Sequence, residues 1–222
     1  YKTTTAMGET GYLKLSGKII MRISTHTETG VPIYLKTADY NVLSGSTWHV
    51  RSEKTEPVFP DGEMIWQVFG KERGNSSLTV SKWMGRDGQG LLALPEGAKR
   101  IENMDVAGLE KSGLGAVRID EGPDLLNYAV FYEENFRYES PPETRDIIVP
   151  EFERKVIEKI VEDHDLKGFN DLDSVMRIEK FFSLFKYSLN LKSDSKNISV
   201  LEEFLTDTKS GHCEYFATAT VL

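Results

Sequence analysis

The sequence has a single cysteine, Cys213, among its 222 residues. One thiol excludes a disulfide within the chain, so the cysteine content does not identify the redox compartment. The sequence also lacks an apolar run long enough to span a bilayer and the apolar core of a signal peptide. Because the chain starts at Tyr1 rather than at methionine, we expect it to be an excised piece of a longer polypeptide.

Clusters of basic residues are lacking as well. The formal net charge is −8, and it is spread evenly along the chain. A protein that binds nucleic acid normally presents a basic face or stripe, so nucleic acid is not an expected partner. With 39% hydrophobic and 28% charged residues, the composition is that of a globular protein with enough apolar side chains for a core.

Residues 1–140 have the pattern of β structure. Short runs rich in β-branched and aromatic residues alternate with turns that contain Gly, Pro, Asp and Asn. In the run Gly17–Ser24, Ile19, Met21 and Ile23 share one face at a spacing of two. The other predicted strands lie in Ile33–Leu43, Met64–Gly70, Ser77–Trp83, Gly115–Asp120 and Asn127–Glu134. This spacing predicts a β-rich domain over residues 1–140, built as a sandwich or a partly open barrel.

A proline-containing segment, residues 141–150, follows the β-rich region. Pro141, Pro142 and Pro150 favour extended backbone and cannot donate to a strand ladder, so this segment is predicted to be a linker. Beyond it, residues 151–222 have helical periodicity. The sequence therefore predicts an α+β protein in which a β-rich domain precedes a helical region.

Two apolar stripes in the helical region are expected to face a core because they recur at helical spacing. They comprise Phe152, Val156, Ile157, Ile160 and Val161 in the first helix and Val175, Ile178, Phe182 and Phe185 in the second. Asn170 or Asp171 is expected to cap the second helix, and Ser199 and Glu202 have the spacing of a capping box. A further helix is predicted to begin at Cys213.

Cys213 follows Gly211 closely at this predicted helix start. Helix N-termini favour the thiolate form of cysteine, and glycine lets the backbone turn sharply and a substrate approach closely. A thiolate here can attack an amide carbonyl while nearby backbone N–H groups hold the oxyanion. The local pattern equally fits a buried cysteine that only fills space. The adjacent Glu214, Tyr215 and Phe216 are interpreted as structural.

A cysteine nucleophile also needs a base, usually histidine. His26 lies in a predicted exposed turn, His49 in a strand or loop, and His164 at a helix C-terminus. His212 adjoins Cys213, but adjacent side chains entering a helix generally point apart, so none of the four histidines is a convincing base. Zinc ligation by His212 and Cys213 is disfavoured, because a structural zinc site needs about four ligands and no second Cys/His pair is present. We therefore expect no metal.

The segment Gly211–Ala217, with the sequence GHCEYFA, resembles the nucleophile motif of the transglutaminase-like superfamily. The upstream run FKYSLN, a polar loop and VLEEFLTDTKS occur in the order of that core. Earlier segments are similar to the β-rich region that precedes the core in bacterial membrane-anchored transglutaminase-like proteins, in features that include Tyr40, Gly45, Trp48 and Leu94-Pro95.

This resemblance implies a papain-like Cys-His-Asp triad with Cys213 as the nucleophile. The histidine and aspartate would come from strands after Leu222, so we expect a fragment that is truncated just after the nucleophile motif and is itself inactive. The resemblance also implies a domain that faces the periplasm or exterior of a bacterial inner or cytoplasmic membrane. Membrane contact would then occur only through segments outside these residues.

The leading functional hypothesis from the resemblance is acyl transfer. Cys213 would attack a glutamine or peptide amide and pass the acyl group to an amine or to water, giving crosslinking, deamidation or peptide hydrolysis. The expected partner is a protein or peptide substrate, for instance one of the cell envelope, and thiol chemistry needs no cofactor. The alternative is a non-catalytic scaffold, in which the β-rich domain binds an envelope partner and the core is degenerate. Tyr187 approaches the site but is assigned no substrate role.

Overall fold

The structure is a computed structural model, and it describes residues 4–7, 16–25, 33–50, 54–85, 87–137, 143–189 and 198–222. The described chain is mixed α and β, which confirms the predicted fold class. Contacts divide it into two compact units. The first comprises Tyr1–Lys2, Ile19–Tyr40 and Val50–Pro141, and the second comprises Thr3–Lys18, Asn41–His49 and Pro142–Leu222.

The secondary structure follows in chain order. The strands are β1 (Thr4–Ala6), β2 (Met21–Thr25), β3 (Leu35–Lys36), β4 (Val42–Ser44), β5 (Thr47–His49), β6 (Thr55–Val58), β7 (Ile65–Gln67), β8 (Ser76–Trp83), β9 (Gly90–Leu91), β10 (Leu94–Pro95), β11 (Ala98–Glu102), β12 (Gly108–Ser112), β13 (Val117–Asp120), β14 (Leu125–Tyr132), β15 (Lys186–Tyr187) and β16 (Ser210–Gly211). The helices are α1 (Glu151–Asp163), α2 (Asp171–Phe182), α3 (Val200–Glu203) and α4 (Cys213–Val221). A 3₁₀ turn spans Thr144–Ile147, and α3 continues into a π-helical turn over Phe204–Thr208.

The first unit is built on two antiparallel sheets that share one hydrophobic core. Their strand orders are β2-β8-β14-β11-β7 and β6-β12-β13-β9. Strands β8 and β14 pair over their full lengths, and their buried residues alternate with more exposed ones. The core takes buried side chains from both sheets, including Leu78, Val80, Tyr128, Val130, Leu109, Val117 and Ile119. The inner faces of the two sheets therefore enclose one core, as in a β-sandwich.

Two of the predicted strands differ from the structure. The run Ile33–Leu43 is not one strand, because residues 37–41 separate β3 from β4. The run Gly17–Ser24 becomes extended only from Met21. Ile19 is 68% exposed and Ile23 is 41% exposed, so the predicted apolar face is not buried as a whole. Strand β2 is the outermost strand of the described sheet, which explains why little covers it. His26 lies outside the described residues.

The second unit combines the helices with a small sheet of order β1-β5-β4. Contacts thus group residues 41–49 with the helices, although sequence position had assigned them to a domain over residues 1–140. Two side-chain hydrogen bonds hold the segment there. Asn41 Nδ2 donates to Asp146 Oδ1 at 3.0 Å, and Trp48 Nε1 donates to Thr218 Oγ1 at 2.8 Å.

The predicted helix caps are confirmed. Asn170 accepts a hydrogen bond from the backbone N–H of Asp173, and Ser199 Oγ accepts one from Glu202 at 2.9 Å. Pro150 lies at the N-cap of α1, whereas Pro141 and Pro142 lie outside the described residues. These caps depend on residues three positions apart, which is why the sequence alone could identify them.

The predicted stripes of α1 and α2 face the helical core except at one residue in each, Phe152 and Val175. Phe152 is 67% exposed, and the buried residues of α1 are Glu153, Ile157 and Ile160. Val175 is 52% exposed, and Phe181 is the buried residue of α2. The prediction of core positions for Phe152 and Val175 is therefore wrong. On α1 the inward position in the first turn is taken by Glu153, whose Oε2 accepts a 2.7 Å hydrogen bond from Ser199 Oγ.

The hydrogen bond between Trp48 and Thr218 can be tested by a double-mutant cycle. Trp48→Phe keeps a ring but removes the donor, and Thr218→Val keeps the shape but removes the acceptor. We expect a coupling free energy of about 1 kcal/mol in urea unfolding, because Thr218 is 3% exposed and water replaces the bond poorly. Pairing Trp48→Phe with Thr220→Val, an exposed threonine on the same helix, is the control and should show no coupling. A coupling near zero for Thr218 would contradict the assignment.

Glu153 predicts a pH-dependent stability difference. Burial raises the pKa of its carboxyl, the Ser199 hydroxyl partly offsets this, and the charge of Glu202 adds to it. A raised pKa means that the folded state is favoured by protonation and loses that stability as pH rises through the folded-state pKa. Glu153→Gln should therefore raise Tm at pH 7 by roughly 2–4 °C, and the gain should vanish below the ordinary carboxyl pKa of 4.5.

The control for this prediction is Glu158→Gln, which removes an exposed charge from the same helix. It should change Tm by less than Glu153→Gln does. Thermal unfolding followed by the helical circular-dichroism signal, at several pH values, measures both variants. A gain for Glu153→Gln that is larger in acid than at neutral pH would contradict the proposed sign.

Candidate active site

Cys213 is the first residue of α4, and a short parallel strand pair leads into it. Strand β16 pairs with β15 so that Tyr187 lies opposite Gly211. Two backbone hydrogen bonds of 2.8 Å extend the pairing, from Lys186 N to Lys209 O and from Ser188 N to Gly211 O. The chain therefore enters α4 from a position that β15 fixes.

Close packing around Gly211 leaves little room for a side chain. Gly211 is buried, and its φ lies outside the left-handed region, which Lys209 occupies two residues earlier with φ 44°. A Cβ on Gly211 would lie 3.0 Å from two atoms of the Phe204 ring and 3.2 Å from Tyr215 Cβ. The sequence suggested that a glycine is needed here for a sharp turn. The structure gives a different reason, which is the close approach of the Phe204 ring to the backbone.

The side chain of Cys213 is exposed. It therefore does not fill core space, which was the structural alternative that the local sequence left open. Its backbone position, at the first residue of a helix, is one at which N–H groups and the helix dipole favour a negative charge. An exposed thiol at this position has the access that a nucleophile needs.

His212 points the other way and is 1% exposed. It is the N-cap residue of α4, and its Nδ1 accepts a 3.4 Å hydrogen bond from the backbone N–H of Glu214. The ring meets the Tyr215 ring edge-on, with centroids 4.8 Å apart. The expectation that His212 and Cys213 point apart is confirmed, and the ring of His212 packs inside the unit.

Carboxylates surround the buried side of this turn. Glu214 Oε2 lies 3.6 Å from His212 Nδ1. The second carboxylate belongs to Glu203 on α3, a residue that is 8% exposed. Burial raises the pKa of the Tyr215 phenol, and the charges of Glu214 and Glu203 raise it further. The negative charge of Glu214 is thus directed toward His212 and Tyr215, in agreement with a structural role.

The other described histidines lie at the ends of secondary-structure elements. His49 is the last residue of β5, and His164 ends α1, where its ring lies 4.8 Å from the ring of Phe181. Residues 4–7, 16–25, 33–50, 54–85, 87–137, 143–189 and 198–222 contain no group of three or more His, Cys, Asp or Glu side chains that could hold a metal ion. Within the same residues, no helix is long and apolar enough to cross a membrane.

Tyr187, to which the sequence assigned no role, lies beside the segment that leads into Cys213. Its side chain is 60% exposed, and the strand register sets it opposite Gly211, two residues before Cys213. The signal in the sequence was the short strand-like run FKYSLN, but its pairing with a strand more than twenty residues later could not be derived from local pattern.

The sequence matches no protein-family profile, and no curated protein is significantly similar to it. Among solved structures, two crystal structures of the periplasmic domain of TgpA from Pseudomonas aeruginosa are similar to this chain. The first has a TM-score of 0.69 and the second, bound to ethylmercury, 0.65; both are 18% identical in sequence. They match all of this chain and 76% and 77% of their own chains. The chain therefore shares the fold of a bacterial periplasmic domain.

Proposed function

We propose that Cys213 is the nucleophile of a thiol-dependent acyl transfer of the transglutaminase-like type. The observation that carries this proposal is an exposed thiol on the first residue of a helix, within the motif Gly211–Ala217. The shared fold with the periplasmic domain of TgpA supports it. We also propose that the domain works outside the cytoplasm of a bacterium, on protein or peptide substrates of the cell envelope.

The reaction begins when the Cys213 thiolate attacks the carbonyl carbon of a glutamine side-chain amide or a peptide bond. A C–S bond forms, and the negative charge on the carbonyl oxygen is held by N–H donors near the helix start. The C–N bond then breaks, and the nitrogen takes a proton and leaves as ammonia or an amine. In transglutaminase-like proteins, which the motif resembles, this proton comes from a histidine oriented by an aspartate.

The second half of the reaction releases the acyl group from the thioester. A primary amine or water attacks the thioester carbonyl and loses a proton, and the C–S bond breaks to regenerate the Cys213 thiol. An amine acceptor gives a crosslink, whereas water gives deamidation or peptide hydrolysis. Tyr187 is exposed and pairs with Gly211, two residues before Cys213, so we propose it as a candidate contact for the substrate.

The proposal predicts that acyl transfer depends on the sulfur of Cys213. In a polypeptide that contains these residues together with the segments that follow them, we expect incorporation of a fluorescent primary amine into a glutamine-containing protein. Cys213→Ala should lower the rate by roughly 10³-fold or more, since removing a triad member leaves only binding and oxyanion stabilisation. Thr220→Val, an exposed change on the same helix outside the motif, should leave the rate unchanged.

Retention of activity in Cys213→Ala would contradict the proposal. So would a Cys213 thiol that titrates near the unperturbed value of ~8.5 in the longer polypeptide and is not protected by substrate. Ammonia release, measured beside amine incorporation, distinguishes hydrolysis from crosslinking.

A second candidate function is a non-catalytic binding module, and a groove in the first unit favours it. The groove has a volume of about 440 Å³ and is lined by Phe59, Met64, Trp66 and Met104, with Asp105 among the polar residues. Phe59 is 77% exposed. Loss of cellular function in Phe59→Ser but not in Cys213→Ala would favour the binding module over the enzyme.

A further inference from the structure

His212 accounts for three successive backbone donors at the start of α4. Its Nδ1 accepts from the N–H of Glu214 at 3.4 Å, and its carbonyl oxygen accepts from Tyr215 at 3.0 Å and from Phe216 at 3.4 Å. Its own backbone is extended, with φ −102° and ψ −179°, as an N-cap residue requires. The bond to Nδ1 is the one that depends on the histidine side chain, because the backbone carbonyl would accept the other two whatever the residue.

The ring that makes this cap is held on its other sides. It is 1% exposed and meets Tyr215 edge-on. Its Nδ1 faces the backbone N–H of Glu214, 3.4 Å away, at the start of α4. The charged groups that face it are Glu214, whose Oε2 is 3.6 Å from Nδ1, and, through the Tyr215 phenol, Glu203 of α3.

Histidine at this position combines two properties that the usual caps do not. Ser, Thr, Asp and Asn cap helices with a short polar side chain, whereas His212 supplies an acceptor and an aromatic surface together. An inward ring also leaves the outward direction to the next side chain, which is the exposed Cys213. The residue before the thiol therefore fixes the turn without occupying its solvent side.

We propose that His212 is a positioning residue for Cys213: its Nδ1 closes the first turn of α4, and this closed turn favours the thiolate. The inference rests on the proposed function of Cys213. The N–H groups and the dipole of a helix lower a cysteine pKa only while the first turn is formed. Loss of the cap frays that turn and weakens the effect on the thiol.

The test compares variants that separate the acceptor from the ring. His212→Asn keeps a favoured cap acceptor and removes the ring, His212→Phe keeps a ring and removes the acceptor, and His212→Ala removes both. Alkylation of Cys213 by iodoacetamide is measured in the 222-residue chain from about pH 5 to about pH 9.5, a range that brackets an ordinary thiol. Because Cys213 is the only cysteine, the label reports one site.

We expect His212→Asn to react within about twofold of the unchanged protein, since asparagine is a preferred cap. His212→Phe and His212→Ala should have a Cys213 pKa higher by about half a unit, and so react roughly threefold more slowly at neutral pH. If circular dichroism shows that His212→Phe does not fold, the thiol pKa of His212→Asn can still be compared with that of His212→Ala. These two variants differ in whether residue 212 supplies a cap acceptor.

Two results would overturn the inference. One is an equal thiol pKa and rate in all folded variants, and the other is a rate that follows the ring, with Phe like the unchanged protein and Asn slow. Amine incorporation in the longer polypeptide is a separate measurement. Variants that differ in thiol titration as expected, in a protein that transfers no acyl group, would support the positioning of Cys213 and remove the proposed function.

Discussion

The contact between the Phe204 ring and the backbone of Gly211 is the constraint on which the site depends. Phe204 is 1% exposed, and its ring packs against Phe182, Phe185 and Phe216 with centroids 5.1–6.2 Å apart. A Cβ at residue 211 would lie 3.0 Å from that ring. The aromatic cluster therefore sets where β16 runs, and β16 sets where α4 begins.

The side chains of the two residues at that helix start point in opposite directions. His212 lies inward among Glu214 and Tyr215, and Cys213 lies outward in solvent. An imidazole buried against a helix N-terminus cannot reach a proton on a substrate, so adjacency in sequence does not make this pair a nucleophile and its base. What the pair does supply is an exposed thiol at a capped helix start, which is the part of the proposed acyl-transfer site that these residues contain.

The features that could be predicted from the sequence are those determined by residues close together in the chain. Alternation along β8 and β14, the caps at Asn170 and Ser199, and the start of α4 at Cys213 all depend on residues a few positions apart. The inward position in the first turn of α1, which Glu153 takes in place of Phe152, involves a distant partner. Glu153 turns inward because Ser199, 46 residues later, donates to it, and no period in the sequence encodes that bond.

The site follows the same division. The motif at Gly211–Ala217 drew attention to Cys213, because a glycine and a cysteine just before a predicted helix form a local pattern. The inward direction of His212, the exposed position of Tyr187 and the reason for Gly211 all come from pairing between β15 and β16 and from Phe204. These contacts join segments that are separated in the sequence, so a pattern within one segment could not reveal them.

The unit that contains Cys213 is discontinuous in the chain. Trp48 and Thr218, which share a hydrogen bond in it, are 170 positions apart. During synthesis the strands of residues 41–49 must wait until α4 has been made, and closing so long a separation slows folding relative to a unit of local contacts. A cut at the proline-containing segment would separate α4 from the donor of Trp48, so the helical region cannot be treated as an independent module.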